Sequence, residues 1–210
     1  MTEHQQRLQL VELAKSLFDR GYATGGAGNL SVKLEDGRVL ATPTGASFGR
    51  LTAETLSVVD MEGNHLAGDK PSKEVSFHLA IYQNRPQANA IVHLHSTYLT
   101  ALSCLTDLDP ANAIKPFTPY YVMRVGQLPV VPYFNPGDPN IGVELGRLAP
   151  NHRAYLLANH GPVVTGSNLI EAVDNAEELE ETAKLSFILK SSTVAYLSNE
   201  NVRTLSSKKA

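Results

Sequence analysis

His93 and His95 stand one residue apart in the apolar stretch Ala90-Ile91-Val92-His93-Leu94-His95. On a β-strand alternate side chains share a face, so the two imidazoles would lie side by side with Leu94 turned away. Such a pair can share a metal ion, or it can be two hydrogen-bonded histidines on a half-buried strand, and the spacing alone supports both readings equally. His160 shifts the balance. It directly follows the compact apolar run 153–158, within Asn159-His160-Gly161, at a strand exit of the kind where functional groups gather. Three neutral imidazoles with one open position would suit catalytic Zn2+, and imidazole also accepts Mn2+ or Co2+. His4, His65, His78 and His152 fall at a tail, a turn, a helix and a loop, where surface or packing roles are expected.

Glu74 stands near the start of a helix expected over 72–83, after Asp69-Lys70-Pro71-Ser72. With Ser72 as N-cap, an acid in the first turn is favoured by the helix dipole, so helix capping alone would account for both residues. The same turn would also offer free amide hydrogens, the Ser72 hydroxyl and the Lys73 ammonium to a phosphate beside the glutamate. Two further segments could cradle an anion, Gly25-Gly26-Ala27-Gly28-Asn29 and Thr42-Pro43-Thr44-Gly45, because glycine lets the backbone approach closely while Asn29 and Thr44 add donors. Taken singly, each reads first as a plain turn. Neither completes a dinucleotide fingerprint, since Ser31 stands where a third glycine or alanine would be and a strand follows in place of a helix. A nicotinamide or flavin site is therefore excluded.

The elements that must position these residues are legible in outline. Apolar residues at helical spacing predict a helix over 8–20, closed by Gly21. Strands over 30–34 and 38–42 flank the turn Glu35-Asp36-Gly37, and a second pair, 57–60 and 64–66, flanks Glu62-Gly63. The helix over 72–83 leads to a strand over 90–95 and a helix over 97–105. The proline- and glycine-rich segment 109–139 reads as a functional loop region with short strands such as 128–131. Strands over 153–158 and 162–165 precede a long helix over 169–189, whose Glu171, Glu177, Glu178, Glu180 and Glu181 are expected on its solvated face. From about Ser198 the chain is polar and expected to fray.

With 210 residues, 42% of them hydrophobic, the chain suits a single domain, 1–210, with its core over about 8–190. Its net charge of -3, with basic residues dispersed, excludes a nucleic-acid or anionic-membrane footprint and leaves a small molecule as the natural partner. Cys104 is the sole cysteine, so no internal disulfide forms, and its expected place is a buried apolar site. The polar amino terminus and the lack of any run near ~20 apolar residues point to a cytoplasmic protein.

Together and in this order, Gly28-Asn29, Thr44-Gly45, Pro71-Ser72-Lys73-Glu74, His93-Leu94-His95 and Asn159-His160-Gly161 resemble the class II aldolase family typified by L-fuculose-phosphate aldolase and L-ribulose-phosphate epimerase. The resemblance runs over roughly 8–189; no single motif decides it, but five with comparable separations are specific. It implies a three-layer α/β/α sandwich around a mainly antiparallel sheet, and a homotetramer with active sites between subunits to which 109–139 contributes. By position it implies His93, His95 and His160 as zinc ligands, and Glu74 as the catalytic acid or base that also ligates zinc when substrate is absent. Gly28, Asn29, Thr44, Gly45 and Ser72 would hold the phosphate, and Tyr120 or Tyr121 would supply a proton-transfer hydroxyl. The epimerase branch carries aspartate where this chain has Glu74, and fuculose-phosphate aldolase has a second serine in place of Lys73. Pro71-Ser72-Lys73-Glu74 and Asn135-Pro136-Gly137-Asp138 look most like the branch of 3-oxo-tetronate 4-phosphate decarboxylases. The expectation is thus a phosphorylated sugar acid losing CO2 through a metal-stabilised enediolate, with Lys73 meeting its extra charge. Cleavage of a sugar phosphate by an aldolase passes through the same enediolate and stays open, as do epimerisation and a non-catalytic module like the adducin head.

Overall fold

The computed structural model describes residues 1–207 of the chain. Eight strands form one sheet: β1 (Asn29–Lys33), β2 (Val39–Ala41), β3 (Ser57–Val59), β4 (His65–Ala67), β5 (Ala90–His93), β6 (Val130–Val131), β7 (Ala154–Leu157) and β8 (Gly161–Gly166). Their order is β4-β3-β2-β1-β5-β8-β7-β6. Every ladder is antiparallel except β6 with β7. Both expected hairpins form, β1–β2 and β3–β4. β5 lies near the middle of the sheet and pairs Asn29 of β1 with His93 and Val163 of β8 with His93.

Seven helices cover the two faces: α1 (Glu3–Asp19), α2 (Val75–Asn84), α3 (Thr97–Ser103), α4 (Pro119–Arg124), α5 (Pro139–Leu148), α6 (Leu169–Ile188) and α7 (Asn199–Ser206). The period of two along the strands sorts the buried residues into two cores. Leu40, Val92, Leu156 and Val164 face α1, α3, α4 and α6, with Leu17, Leu99, Val122 and Leu179 in the same cluster. Val39, Ile91, Tyr155 and Val163 face the other way, against Phe77 and Ile81 of α2 and Leu145 of α5. This is a three-layer α/β/α sandwich.

The departures from expectation lie mostly where a cap decides. α1 starts earlier than residue 8, because Thr2 accepts from Gln5 N while the Gln5 side chain accepts from Thr2 N in a capping box. α4 and α5 arise in and just beyond the segment read as loops: Thr118 and Asp138 cap them, and Pro119 and Pro139 occupy a first-turn position. There proline starts a helix, since its missing N–H has no partner to lose. α7 occupies the tail expected to fray; Ser198 caps it, and Val202 and Leu205 pack on the larger core. α2 starts later, with Glu74 rather than Ser72 at the N-cap position. β6 is shorter than 128–131, and β5 ends at His93, leaving His95 beyond the strand. Cys104 is exposed at the end of α3, not buried.

Ile91 is fully buried on the central strand whereas Leu66 is half exposed on the edge strand β4. Ile91→Ala is expected to cost about 2–5 kcal/mol through lost burial and an incompletely collapsed cavity, and Leu66→Ala no more than about 0.5 kcal/mol. Urea unfolding monitored by circular dichroism checks this; equal midpoints for the two variants would contradict the placement of the core.

Candidate metal centre and phosphate cradle

β5 delivers His93 to the point where three backbone segments meet. The Gly28 backbone lies so near β5 that a Cβ there would stand 2.7 Å from the His93 carbonyl oxygen, and its φ is +85°. On the other side a Cβ at Gly161, φ +150°, would stand 2.4 Å from the Leu94 carbonyl oxygen. Just before it, Asn159 adopts a left-handed φ of 57°, a conformation asparagine tolerates better than most residues. The reversal turns His160 back over the end of β5.

His93, His95 and His160 consequently converge, with ring centroids 5.0, 4.8 and 4.7 Å apart. One nitrogen from each lies within 4.8 Å of the others, a grouping that could hold a metal ion. The Nε2 atoms of His93 and His95 are 3.1 Å apart. His93 Nδ1 lies 2.8 Å from the Pro162 carbonyl oxygen, which fixes the ring hydrogen there and leaves Nε2 with a free lone pair, as a ligand requires. Burial is also the first cause that drives the pKa of all three rings down, well down for His93, where His160 and His95 add repulsion. Neutral imidazole is the ligating form, so the donor set fits a divalent ion.

Glu74 sits across this trio. Its Oε2 is 3.4 Å from His93 Nε2 and its Oε1 3.3 Å from His160 Nε2. Asn29 Nδ2 donates to Oε2 at 2.6 Å, tying the carboxylate to β1. The Glu74 amide donates to Ser72 Oγ at 3.2 Å and the Val75 amide to the Ser72 carbonyl at 3.2 Å. Two of the amide hydrogens expected to meet an anion are therefore already engaged within the turn.

The glycine loops join the same region. Thr44 N donates to the Lys70 carbonyl at 2.9 Å, and Pro43 bridges Pro71. A Cβ at Gly26 would lie 2.9 Å from the Gly45 carbonyl oxygen. The segments around Gly28-Asn29, Thr44-Gly45 and Ser72-Lys73 are thus laced together, with Thr44, Gly45 and Lys73 exposed. A cleft of about 470 Å³ opens beside Thr44 and Gly45 and brings Arg50 and Lys70 to its wall. Neither cation carries a sequence signal, because nothing in the spacing marks them.

The remaining candidates differ in burial and in partners. Tyr121 is fully buried, its hydroxyl 2.9 Å from Asn112 Oδ1 and 3.2 Å from the Ile114 carbonyl oxygen. A phenol held inside the core cannot relay protons to a substrate. Tyr120, one residue away on α4, is 59% exposed. His78 packs in the interior, its Nδ1 2.7 Å from Ser31 Oγ, which also meets Tyr82 Oη at 2.8 Å. Glu180, expected in solvent, is buried. Among the described residues no helix is long and apolar enough to cross a membrane.

The class II aldolase and adducin N-terminal domain family matches residues 8–187. The chain belongs to this family. A 3-oxo-tetronate 4-phosphate decarboxylase from Haemophilus influenzae is 62% identical over 98% of each chain. An L-fuculose phosphate aldolase from Methanococcus maripaludis is 37% identical over 86% of this chain and 96% of its own. The crystal structure of YgbL from Klebsiella pneumoniae, described by the alternatives aldolase, epimerase and decarboxylase, is 61% identical and superposes with a TM-score of 0.96 over 98% of this chain and 99% of its own. This class II aldolase fold is what assembles the imidazole trio, Glu74 and the glycine loops.

The buried imidazoles make metal-free stability depend on pH. Burial pushes the His78 pKa from 6.5 down to about 3, and those of His93, His95 and His160 move in the same direction. Below 6.5 the unfolded chain binds protons that the folded chain refuses, so stability is full above 6.5 and is lost as pH falls beneath it. Between pH 7 and 5 the thermal midpoint of chelator-treated protein is expected to drop. A midpoint unchanged over that interval would show that these rings are not neutral because of burial.

Proposed function

We propose that the chain is a carboxy-lyase that decarboxylates 3-oxo-tetronate 4-phosphate, releasing CO2 and dihydroxyacetone phosphate. The observation that carries this reading is the position of Glu74, whose carboxylate meets His93, His160 and Asn29 at once. A proton-transfer group, a metal-ligand set and the phosphate loops thereby share one site. The 62% identity to the Haemophilus influenzae decarboxylase over nearly the full length of both chains selects the reaction.

In such a substrate the carboxylate is β to the C3 ketone, so the electron pair of the breaking C1–C2 bond can move toward that carbonyl. A divalent ion on His93, His95 and His160, zinc in our reading, would supply Lewis acidity at the carbonyl when bound. Glu74, in its protonated form, gives a proton to C2 as CO2 departs, and regains one from water. Asn29 fixes Oε2 and so sets the direction of transfer. Gly28, Asn29, Thr44, Gly45 and Ser72 hold the phosphate. Lys73, exposed beside Gly137, meets the charge that a sugar acid carries beyond that of a simple sugar phosphate. We further propose a homotetramer in which the segment 109–139, with Tyr120 exposed on α4, completes a neighbour's site.

Aldol cleavage is the second reading, favoured by the 37% identity to the Methanococcus maripaludis L-fuculose phosphate aldolase. In that enzyme's substrate the ketone is C2, so the C3–C4 bond breaks to release an aldehyde in place of CO2, and the same carboxyl group can protonate C3 of the enediolate left behind.

Purified protein with zinc is expected to release CO2 and dihydroxyacetone phosphate from 3-oxo-tetronate 4-phosphate, with a higher kcat/KM than for L-fuculose 1-phosphate. The reverse order would select the aldolase. Glu74→Gln keeps the shape and loses the proton, so turnover is expected to fall by about 100-fold or more while metal stays bound; native turnover would limit Glu74 to a structural role. Lys73→Ser should raise KM for the acid substrate selectively. No change would place Lys73 on the solvated surface.

A further inference from the structure

Helix α3 begins directly after His95, yet its N-cap residue Ser96 makes no side-chain cap of its own. The capping is supplied from a distant part of the chain. Glu180 of α6, only 5% exposed, accepts from Ser96 Oγ at 2.6 Å, from Tyr98 N at 2.7 Å and from Leu99 N at 3.0 Å. A carboxylate with three donors at a helix N-terminus combines hydrogen bonding with a favourable helix dipole.

The helix held in this way touches both ligand segments. Its N-cap is the residue after His95. Along its body, Ser103 O accepts from Asn159 N at 2.9 Å, and Thr100 Oγ1 lies 3.4 Å from the His160 carbonyl oxygen. His95 lies outside β5 and has no strand ladder to fix it. The N-terminus of α3 is therefore the fixed point for His95, and the rest of α3 is a support for His160. A small shift of α3 would spoil two imidazole positions together, whereas His93 is held separately by β5 and Pro162.

We infer that Glu180 is a positioning residue for the metal centre: by capping α3 it sets where His95 and His160 stand, and so sets metal affinity. This rests on the reading of His93, His95 and His160 as ligands. It assigns a task to a side chain that touches neither metal nor substrate, and it separates Glu180 from its neighbours Glu177 and Glu181, which are occupied at the surface with Arg20 and Lys184.

The test compares native protein with Glu180→Gln, Ser96→Ala and, as a control on the same helix, Glu181→Gln. Zinc dissociation constants come from competition with a chromophoric chelator, and the visible spectrum of the Co2+-loaded proteins reports ligand geometry. Glu180→Gln places an amide NH2 against backbone or hydroxyl donors, so zinc is expected to bind about tenfold or more weakly, with an altered Co2+ spectrum and an unchanged far-ultraviolet circular dichroism spectrum. Ser96→Ala removes one of the three contacts and should shift both readouts in the same direction by less. Glu181→Gln should match native protein. Native affinity and a native Co2+ spectrum in Glu180→Gln would overturn the inference and leave Glu180 as a tie between helices. Should that variant not fold, Ser96→Ala decides on the same criteria. A native protein that binds no zinc overturns the ligand reading itself, and this inference with it.

Discussion

A Cβ at position 161 would stand 2.4 Å from one carbonyl oxygen at the end of β5, and a Cβ at position 28 would stand 2.7 Å from the carbonyl one residue earlier. Only glycine lets backbone close in on both sides of β5 to that degree. The β1 side brings Asn29 level with His93, and the β8 side brings His160 over it. The glycine loops and Glu74 reach the same place through Asn29 and the bridge between Pro43 and Pro71. Without that closure His160 would stand apart from His93 and His95.

Closure also settles the electrostatics. Burial pushes the pKa values of His93, His95 and His160 down, which favours the neutral form, and a neutral trio has three lone pairs to offer. Among the described residues Glu74 is the carboxylate placed against the trio. Asn29 Nδ2 donates to its Oε2, so its orientation is held before any substrate arrives. Such preorganisation is what proton transfer at a defined carbon demands.

Much of this was legible in residue types. The spacing of His93 and His95 offered a metal pair or two hydrogen-bonded histidines, the strand exit added His160, and the structure brings the three rings together; the glycine segments beside Asn29 and Thr44 read singly as plain turns and were joined into a candidate cradle only as a set. The alternation of apolar residues gave the sheet, and two turns gave its hairpins. What stayed hidden depends on partners distant in sequence or on the sense in which a residue punctuates. Pro119 and Pro139 looked like breakers and are helix starters. Glu180 sits among acidic neighbours in the sequence, and only the fold reveals that Ser96, Tyr98 and Leu99 lie against it. Tyr121 looked as available as Tyr120, yet helical geometry turns one into the core and the other outward. His95 lies past the end of β5, so its alignment with His93 owes as much to α3 as to strand periodicity.

The claim on which the rest depends is that three imidazoles of this chain bind one metal ion. X-ray absorption spectroscopy of zinc-loaded protein tests it directly. The account predicts one zinc per chain with a light-atom shell at about 2.0–2.1 Å, outer-shell scattering from three imidazoles in native protein, and two after His160→Ala. A native spectrum fitted by fewer than three imidazoles, or unchanged by that substitution, would contradict it.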